Sequence, residues 1–285
     1  MRTQIDHWLT QPEVNPEEPF PLLYRFLGED GVRKTVESWR LRLSTWQNMN
    51  DPREKKEWRS SDIIAGRLRA VPPYTQAELE SAFDRLLRRG ARLACFTDDR
   101  TPATEHAAQW LLHRGWGRSA MWDRYAGSHE GGCLVFGSPE LLEQFDSFQL
   151  GAGSIRTWGR VEYVDEPISI EQLDADVRSD EHLMELLDET ATRRYTASNL
   201  YMKKLKDWES EREFRIVDVI WNIPEAERDE PLYIPIGASL RAVIIGEAFP
   251  DGAVDGLRQS LGGSPGTPEL FRCTWQGGVP FLARP

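Results

Sequence analysis

The sequence predicts an α+β fold, a single domain with a mainly antiparallel or mixed β-sheet flanked by helices. Three observations predict it. Strand-like and helix-like segments mix without the strict alternation of a βαβ protein. The strand-like runs are short and are punctuated by Gly, Pro, Asn and Asp. A chain of 285 residues with 40% hydrophobic and 28% charged residues can bury a substantial core. Residues 1–20, "MRTQIDHWLTQPEVNPEEPF", form an acidic, proline-rich arm expected to be short and partly ordered, and 21–285 form the domain.

The elements follow in order. "PLLYRFL" is a first strand ending at Gly28. "EDGVRKTVESWR" places Val32, Val36 and Trp39 at helical spacing. In "LRLSTW", Leu41, Leu43 and Thr45 alternate with Arg42, Ser44 and Trp46, which is strand periodicity, and "NMNDPRE" ends it as a turn. "TQAELESAFDRLLRRG" is a helix with Thr75 as its cap and Gly90 as its stop. "ARLACFTDD" is a strand, and "SAMWDRYAGSHEGG" leads into the strand "CLVF". "GSPELLEQFDSF" is a helix capped by Ser138, and "WGRVEYVDEP" is one strand. Residues 180–208 are polar and mostly helical, and they deliver the chain to the strand "EREFRIVDVIW". "LRAVIIGEAF", "DGAVDGLRQSLGG" and "FRCTW" close the chain as strand, helix, strand.

Composition narrows the function classes. A net charge of -11 opposes sequence-independent attraction to nucleic acid or anionic lipid. No segment reaches the roughly 18 apolar residues that cross a bilayer, and the N-terminus has no apolar signal core, so a cytoplasmic protein is expected. Cys95, Cys133 and Cys273 match neither a disulfide framework nor a zinc spacing. His7, His106, His113, His129 and His182 form no ligand spacing either, and no metal is expected. No Gly-x-Gly-x-x-Gly or Walker-type loop is present, which removes support for a Rossmann site or a nucleoside triphosphatase.

The chemistry concentrates in "KDWESEREFRIV". On a strand, Glu211, Glu213 and Arg215 share one face at about 6.5–7 Å intervals, with Phe214 and Ile216 on the other. Both carboxylates then reach one small ligand. The competing reading is a solvated face on which Glu213 and Arg215 form a surface pair worth under about 1 kcal/mol. Lys203, Lys204 and Lys206 precede the acids and would attract a phosphate-bearing ligand, although a solvated helix end is the plainer reading. Asp51 and Glu54 would complete a metal-dependent nuclease or phosphodiesterase with Glu211 and Glu213. The commoner role for Asp51 is to accept backbone N–H bonds in a turn beside Pro52. Trp122 reads as core, with Tyr125 more open to function.

"LYRF", "LRLSTWQNMNDPRE", "LACFTDD", "AMWDRYAGSHEGGCLVF", "VEYVDEP" and "KKLKDWESEREFRIV" resemble, in that order, the bacterial family called Domain of Unknown Function 2971 over roughly residues 22–246. No established activity comes with that family. The Glu-x-Glu at a strand start also resembles arginine-class ADP-ribosyltransferases, in which an early arginine and a Ser-Thr-Ser stretch complete the site. That resemblance implies an ADP-ribosyltransferase-like architecture with NAD as substrate. Glu213 would then stabilise an oxocarbenium-like ribose and Glu211 would orient or deprotonate the acceptor. Arg25 would hold pyrophosphate, Ser44 and Thr45 would support the carboxylate or ribose, and Arg215 would border the site. Trp122 or Tyr125 would stack on nicotinamide. It further implies a macromolecular acceptor, protein or nucleic acid, and the work of a bacterial toxin or defence effector. The pattern departs from that family at Trp46, where the third Ser-Thr-Ser position falls. A non-catalytic domain that binds a ligand or partner is the remaining alternative.

Overall fold

The computed structural model describes residues 5, 9, 22–99, 107–148, 154–167, 169, 173–189, 196–263 and 266–285. The expected acidic arm otherwise lies outside them, although Leu9 is buried and its carbonyl accepts from Trp116 Nε1 at 3.1 Å.

The strands through the first half are β1 (Leu22–Leu27), β2 (Arg40–Thr45), β3 (Leu68–Ala70), β4 (Ala91–Asp98) and β5 (Gly132–Gly137). Then come β6 (Ser154–Arg160), β7 (Glu162–Val164), β8 (Ala175–Val177), β9 (Lys203–Leu205) and β10 (Glu213–Ile220). β11 (Leu232–Pro235), β12 (Leu240–Ile245), β13 (Glu269–Gln276) and β14 (Val279–Ala283) complete the set. The α-helices of the first half are α1 (Glu29–Ser38), α2 (Pro52–Lys55), α3 (Ser60–Ile63), α4 (Gln76–Phe83) and α5 (Ala107–His113). The later ones are α6 (Ser119–Tyr125), α7 (Ser138–Ser147), α8 (Asp180–Asp188) and α9 (Asp251–Gly262). Helices and mixed, mostly antiparallel strands make the protein α+β.

The chain divides into two compact units: 1–41, 96–148 and 234–285 in the first, and 42–95 and 149–233 in the second. In the first unit, β1 lies antiparallel to β5 with Leu22 opposite Gly137 and Leu27 opposite Gly132. β5 also pairs antiparallel with β12, and every residue of β5 is buried, as a strand covered on both faces requires. β12 runs parallel to β13, so α9 serves as the crossover a parallel pair needs. β13 returns antiparallel as β14 through Gly277 and Gly278, both at positive φ, the backbone a two-residue hairpin demands.

In the second unit, β2 pairs antiparallel with β4 (Ser44 opposite Leu93), and β10 joins β4 to an antiparallel β6. Two short parallel pairs, β3 with β8 and β7 with β9, stand apart. α4 begins with a complete capping box, Thr75 accepting from the Glu78 amide and Glu78 accepting from the Thr75 amide. Its buried face, Leu79, Ala82 and Phe83, joins Trp46, Trp58, Leu200 and Tyr201 in one core.

Three local expectations need correction. "WGRVEYVDEP" is two strands, because Val161 N–H donates to Glu213 while Glu162 N–H donates to Met202, a change of partner that breaks the ladder. Ser138 is not a cap: Gly137 holds that position, no side chain caps the helix, and Ser138 is its first residue. A 3-10 turn (Trp46–Asn48) leads into "NMNDPRE", which is not only a turn but begins α2, while Asp51 Oδ1 accepts from the Arg53 amide at 2.9 Å as expected. As expected, the described residues of 180–208 are mostly helical, in α8, a π turn (Ala197–Tyr201) and the start of a 3-10 turn (Lys206–Glu211), interrupted by β9.

Candidate functional site

β10 is buried at all eight positions, so both of its faces are interior. Glu213 and Arg215 share a face, as period two requires. Glu211 does not lie on the strand. It ends the 3-10 turn, and Arg212 follows in the left-handed region (φ 47, ψ 53), where no strand continues. A backbone reversal at Arg212, not the pleat, carries the chain from Glu211 into β10, and the expected three-residue ridge is corrected accordingly.

The two glutamates nevertheless meet. Lys204 Nζ donates to Glu211 Oε2 at 2.8 Å and to Glu213 Oε2 at 3.0 Å, and it lies 4.7 Å from the centre of the Trp208 ring. Arg215 Nε donates to Glu213 Oε1 at 2.6 Å, Nη2 to Glu54 Oε1 at 2.5 Å, and Nη1 to the Tyr201 carbonyl at 2.8 Å. The Arg215 guanidinium lies 5.3 Å from the Trp46 ring, which meets Tyr201 edge-on at 5.1 Å. Tyr163 Oη accepts from the Glu213 amide at 2.7 Å. Lys204, Glu211, Glu213, Arg215 and Glu54 are all under 6% exposed. Burial at this level makes unpaired charge very costly, and the cluster is internally paired.

Three carboxylates face two cations, and the imbalance falls on one side chain. Burial opposes ionisation of Glu213, but Arg215 and Lys204 outweigh it and hold that carboxyl at about 2. Glu54 moves the other way, raised by burial against the pull of Arg215, and its Oε2 has no hydrogen-bond partner. Burial also opposes the Lys204 ammonium, yet Glu213 and Glu211 hold its pKa above the usual lysine value. Burial and the Glu213 carboxylate push the Tyr163 phenol up.

The remaining candidates divide between the units. Ser44 is half-buried opposite Leu93, and the buried Thr45 accepts from Asn48 Nδ2 at 2.8 Å, both in the second unit. Arg25, Trp122 and Tyr125 belong to the first unit. The Arg25 guanidinium lies 5.8 Å from the Phe96 ring. Trp122 is fully buried, donates to the Trp116 carbonyl at 2.7 Å, meets Phe26 edge-on and stacks on His129. Tyr125 packs half-buried against the same apolar cluster. Asp51 spends its carboxylate on the Arg53 and Leu205 amides. Among the described residues no three His, Cys, Asp or Glu side chains group to hold a metal ion. Lys204 and Arg215 supply the positive charge that an ion would bring to Glu54, Glu211 and Glu213.

Sequence reasoning named Lys204 only as one of three lysines and Glu54 only in a metal alternative. Met202 and Lys204 are buried while Lys203 and Leu205 are half-buried, an inward lysine that the pattern Met-Lys-Lys-Leu does not mark, because its apolar residues are three apart and fall on opposite faces of a strand.

No curated protein matches the chain, and no solved structure does. A family model matches a narrower stretch than the resemblance over 22–246 suggests, and that stretch contains Lys204, Glu211, Glu213 and Arg215 but not Glu54, Ser44 or Arg25. Residues 121–216 of this chain match the family described as Protein of unknown function (DUF2971).

Proposed function

We propose that the second unit carries the catalytic carboxylates of an ADP-ribosyltransferase-like enzyme that consumes NAD and modifies a macromolecular acceptor, protein or nucleic acid, in a toxin or defence role. One observation supports it: Glu211, Glu213 and the Trp208 ring surround a single positive charge, the Lys204 ammonium. When the nicotinamide–ribose bond breaks, its electron pair leaves with nicotinamide and the ribose becomes oxocarbenium-like. A carboxylate held ionised at about 2 suits that cation. Glu211 takes the proton of the attacking acceptor. Lys204 fills the place of the cation in this closed arrangement, and it rides on β9, a three-residue strand paired to β7. On this reading Lys204 must withdraw before a substrate can reach the carboxylates. Ser44 and Thr45 lie in the same unit, and support comes from second-unit residues alone.

A second reading is favoured by burial. Glu211 and Glu213 are 3% and 4% exposed, as in an internal fastener with no catalytic duty. Nicotinamide release from NAD, measured with the intact protein across candidate protein and nucleic-acid acceptors, separates the two. The transferase reading expects turnover that Glu213→Gln abolishes in protein shown to be folded by circular dichroism, with Glu211→Gln as the companion variant. Absence of nicotinamide release from the unmodified protein leaves the fastener alone.

A further inference from the structure

A second feature of the same unit is unrelated to the buried cluster. Residues 53–69 hold six basic and three acidic side chains, a formal +3 within a chain of -11. One of the three acids, Glu54, is turned into the cluster. The same stretch lines a cavity of about 960 Å³ with the exposed face of α4, within the range of small-molecule sites. Glu57, Arg59, Ser61, Gly66, Arg67 and Gln76 are among its walls.

The walls are fixed by the fold. Gly66 is required by a close approach, since a Cβ there would meet the Leu173 carbonyl oxygen at 2.6 Å. The next amide, Arg67 N–H, donates to Asp174 Oδ1 at 2.8 Å, and β3 continues in register with β8. On the facing side, Gln76 Oε1 accepts from the Ala70 amide at 3.2 Å. Glu80 also lines the cavity, but its carboxylate accepts from the Ser60 amide at 2.6 Å, Ser60 Oγ at 2.7 Å and Gln76 Nε2 at 3.0 Å. Its oxygens are therefore taken up in holding α3 against α4. Arg59, Arg67 and Glu57 are exposed, and among the described residues none of them makes an ion pair. Arg69, two residues on and outside the lining, is paired with Asp176.

We infer that this cavity binds a phosphorylated, hydroxyl-bearing small ligand of the nucleotide or sugar-phosphate class. Arg59 and Arg67 take the phosphate oxygens, and Glu57 accepts from a hydroxyl of the adjoining sugar. Guanidinium forks match phosphate geometry, and a carboxylate reading a ribose hydroxyl is the companion interaction of nucleotide sites. The phosphate is drawn by the two exposed guanidinium groups themselves, since the lining also carries Glu57 and Glu80.

Calorimetric titration of the full chain with inorganic pyrophosphate, ADP and ribose 5-phosphate tests this directly and needs no NAD turnover. ADP binding is expected, weakened by added salt and weakened about tenfold or more by Arg59→Ala or Arg67→Ala. Because both arginines are exposed, the melting temperature of those variants should not move. Glu57→Gln should weaken ADP and ribose 5-phosphate while leaving pyrophosphate unchanged. Binding of ribose 5-phosphate as tight as ADP assigns the site to sugar phosphates, and tighter ADP assigns it to nucleotides. No binding of any probe at millimolar concentration, or binding indifferent to both arginines, overturns the inference. ADP and ribose 5-phosphate binding left unchanged by Glu57→Gln overturns the role of Glu57.

Discussion

At the scale of single residues, the buried cluster makes opposite demands on two carboxyls. Glu213 is held at about 2 in the folded protein against an ordinary value of 4.5. A group depressed on folding contributes stability that is fully present above its unfolded pKa and is lost as pH falls toward the folded one. Stability should therefore decline between about pH 4.5 and 2, by roughly 3 kcal/mol from this group. Glu54 has the reverse sign: its folded pKa is raised, so its contribution favours low pH and falls as pH climbs past the unfolded value. Substitution follows from this. Glu213→Gln removes the one carboxylate that both cations share, leaving Lys204 with Glu211 alone and Arg215 with Glu54 alone, and should cost about 3 kcal/mol at neutral pH. Glu54→Gln mimics the protonated form that burial favours and should cost less. Urea midpoints measured from pH 2 to 7 check both statements, and an equal cost for the two variants contradicts the assignment.

At the scale of elements, α4 offers the cleanest test. Its capping box satisfies amides that the helix leaves open. Thr75→Ala should destabilise the protein by about 1 kcal/mol, read as a lower melting temperature, and Thr75→Ser should restore it. This cap was legible in "TQAE" because the chemistry is local. β1, β2, β4 and β12 were legible for the same reason, as apolar runs ended by turn residues. β7 and β6 were not separable, since their break is set by which distant carbonyl accepts Val161 and Glu162. β3, β8, β11 and β14 carry too little pattern over three to five residues for periodicity to mark them. The acidic segment was legible in part. Period two placed Glu213 with Arg215, whereas Glu211 reaches the same lysine through a left-handed Arg212 that no residue type at 212 announces. Glu54 is 161 residues from Arg215 in the chain, a separation across which local pattern carries no information.

At the scale of the whole molecule, the units are built from interleaved stretches of one chain. The second is complete with residue 233, whereas the first takes residues 1–41 and also needs 234–285. Order of completion thus differs from order of sequence. During translation the later-starting unit has all its parts on hand first, whereas β5, the partner of β1, lacks its other neighbour β12 until residues 234–285 emerge. A released chain truncated after residue 233 should already protect β10 from protease while leaving β5 open to cleavage, and simultaneous protection of both would contradict that schedule. A nonsense or frameshift lesion late in the gene would accordingly spare the charged cluster and cripple the half of the protein that was made first.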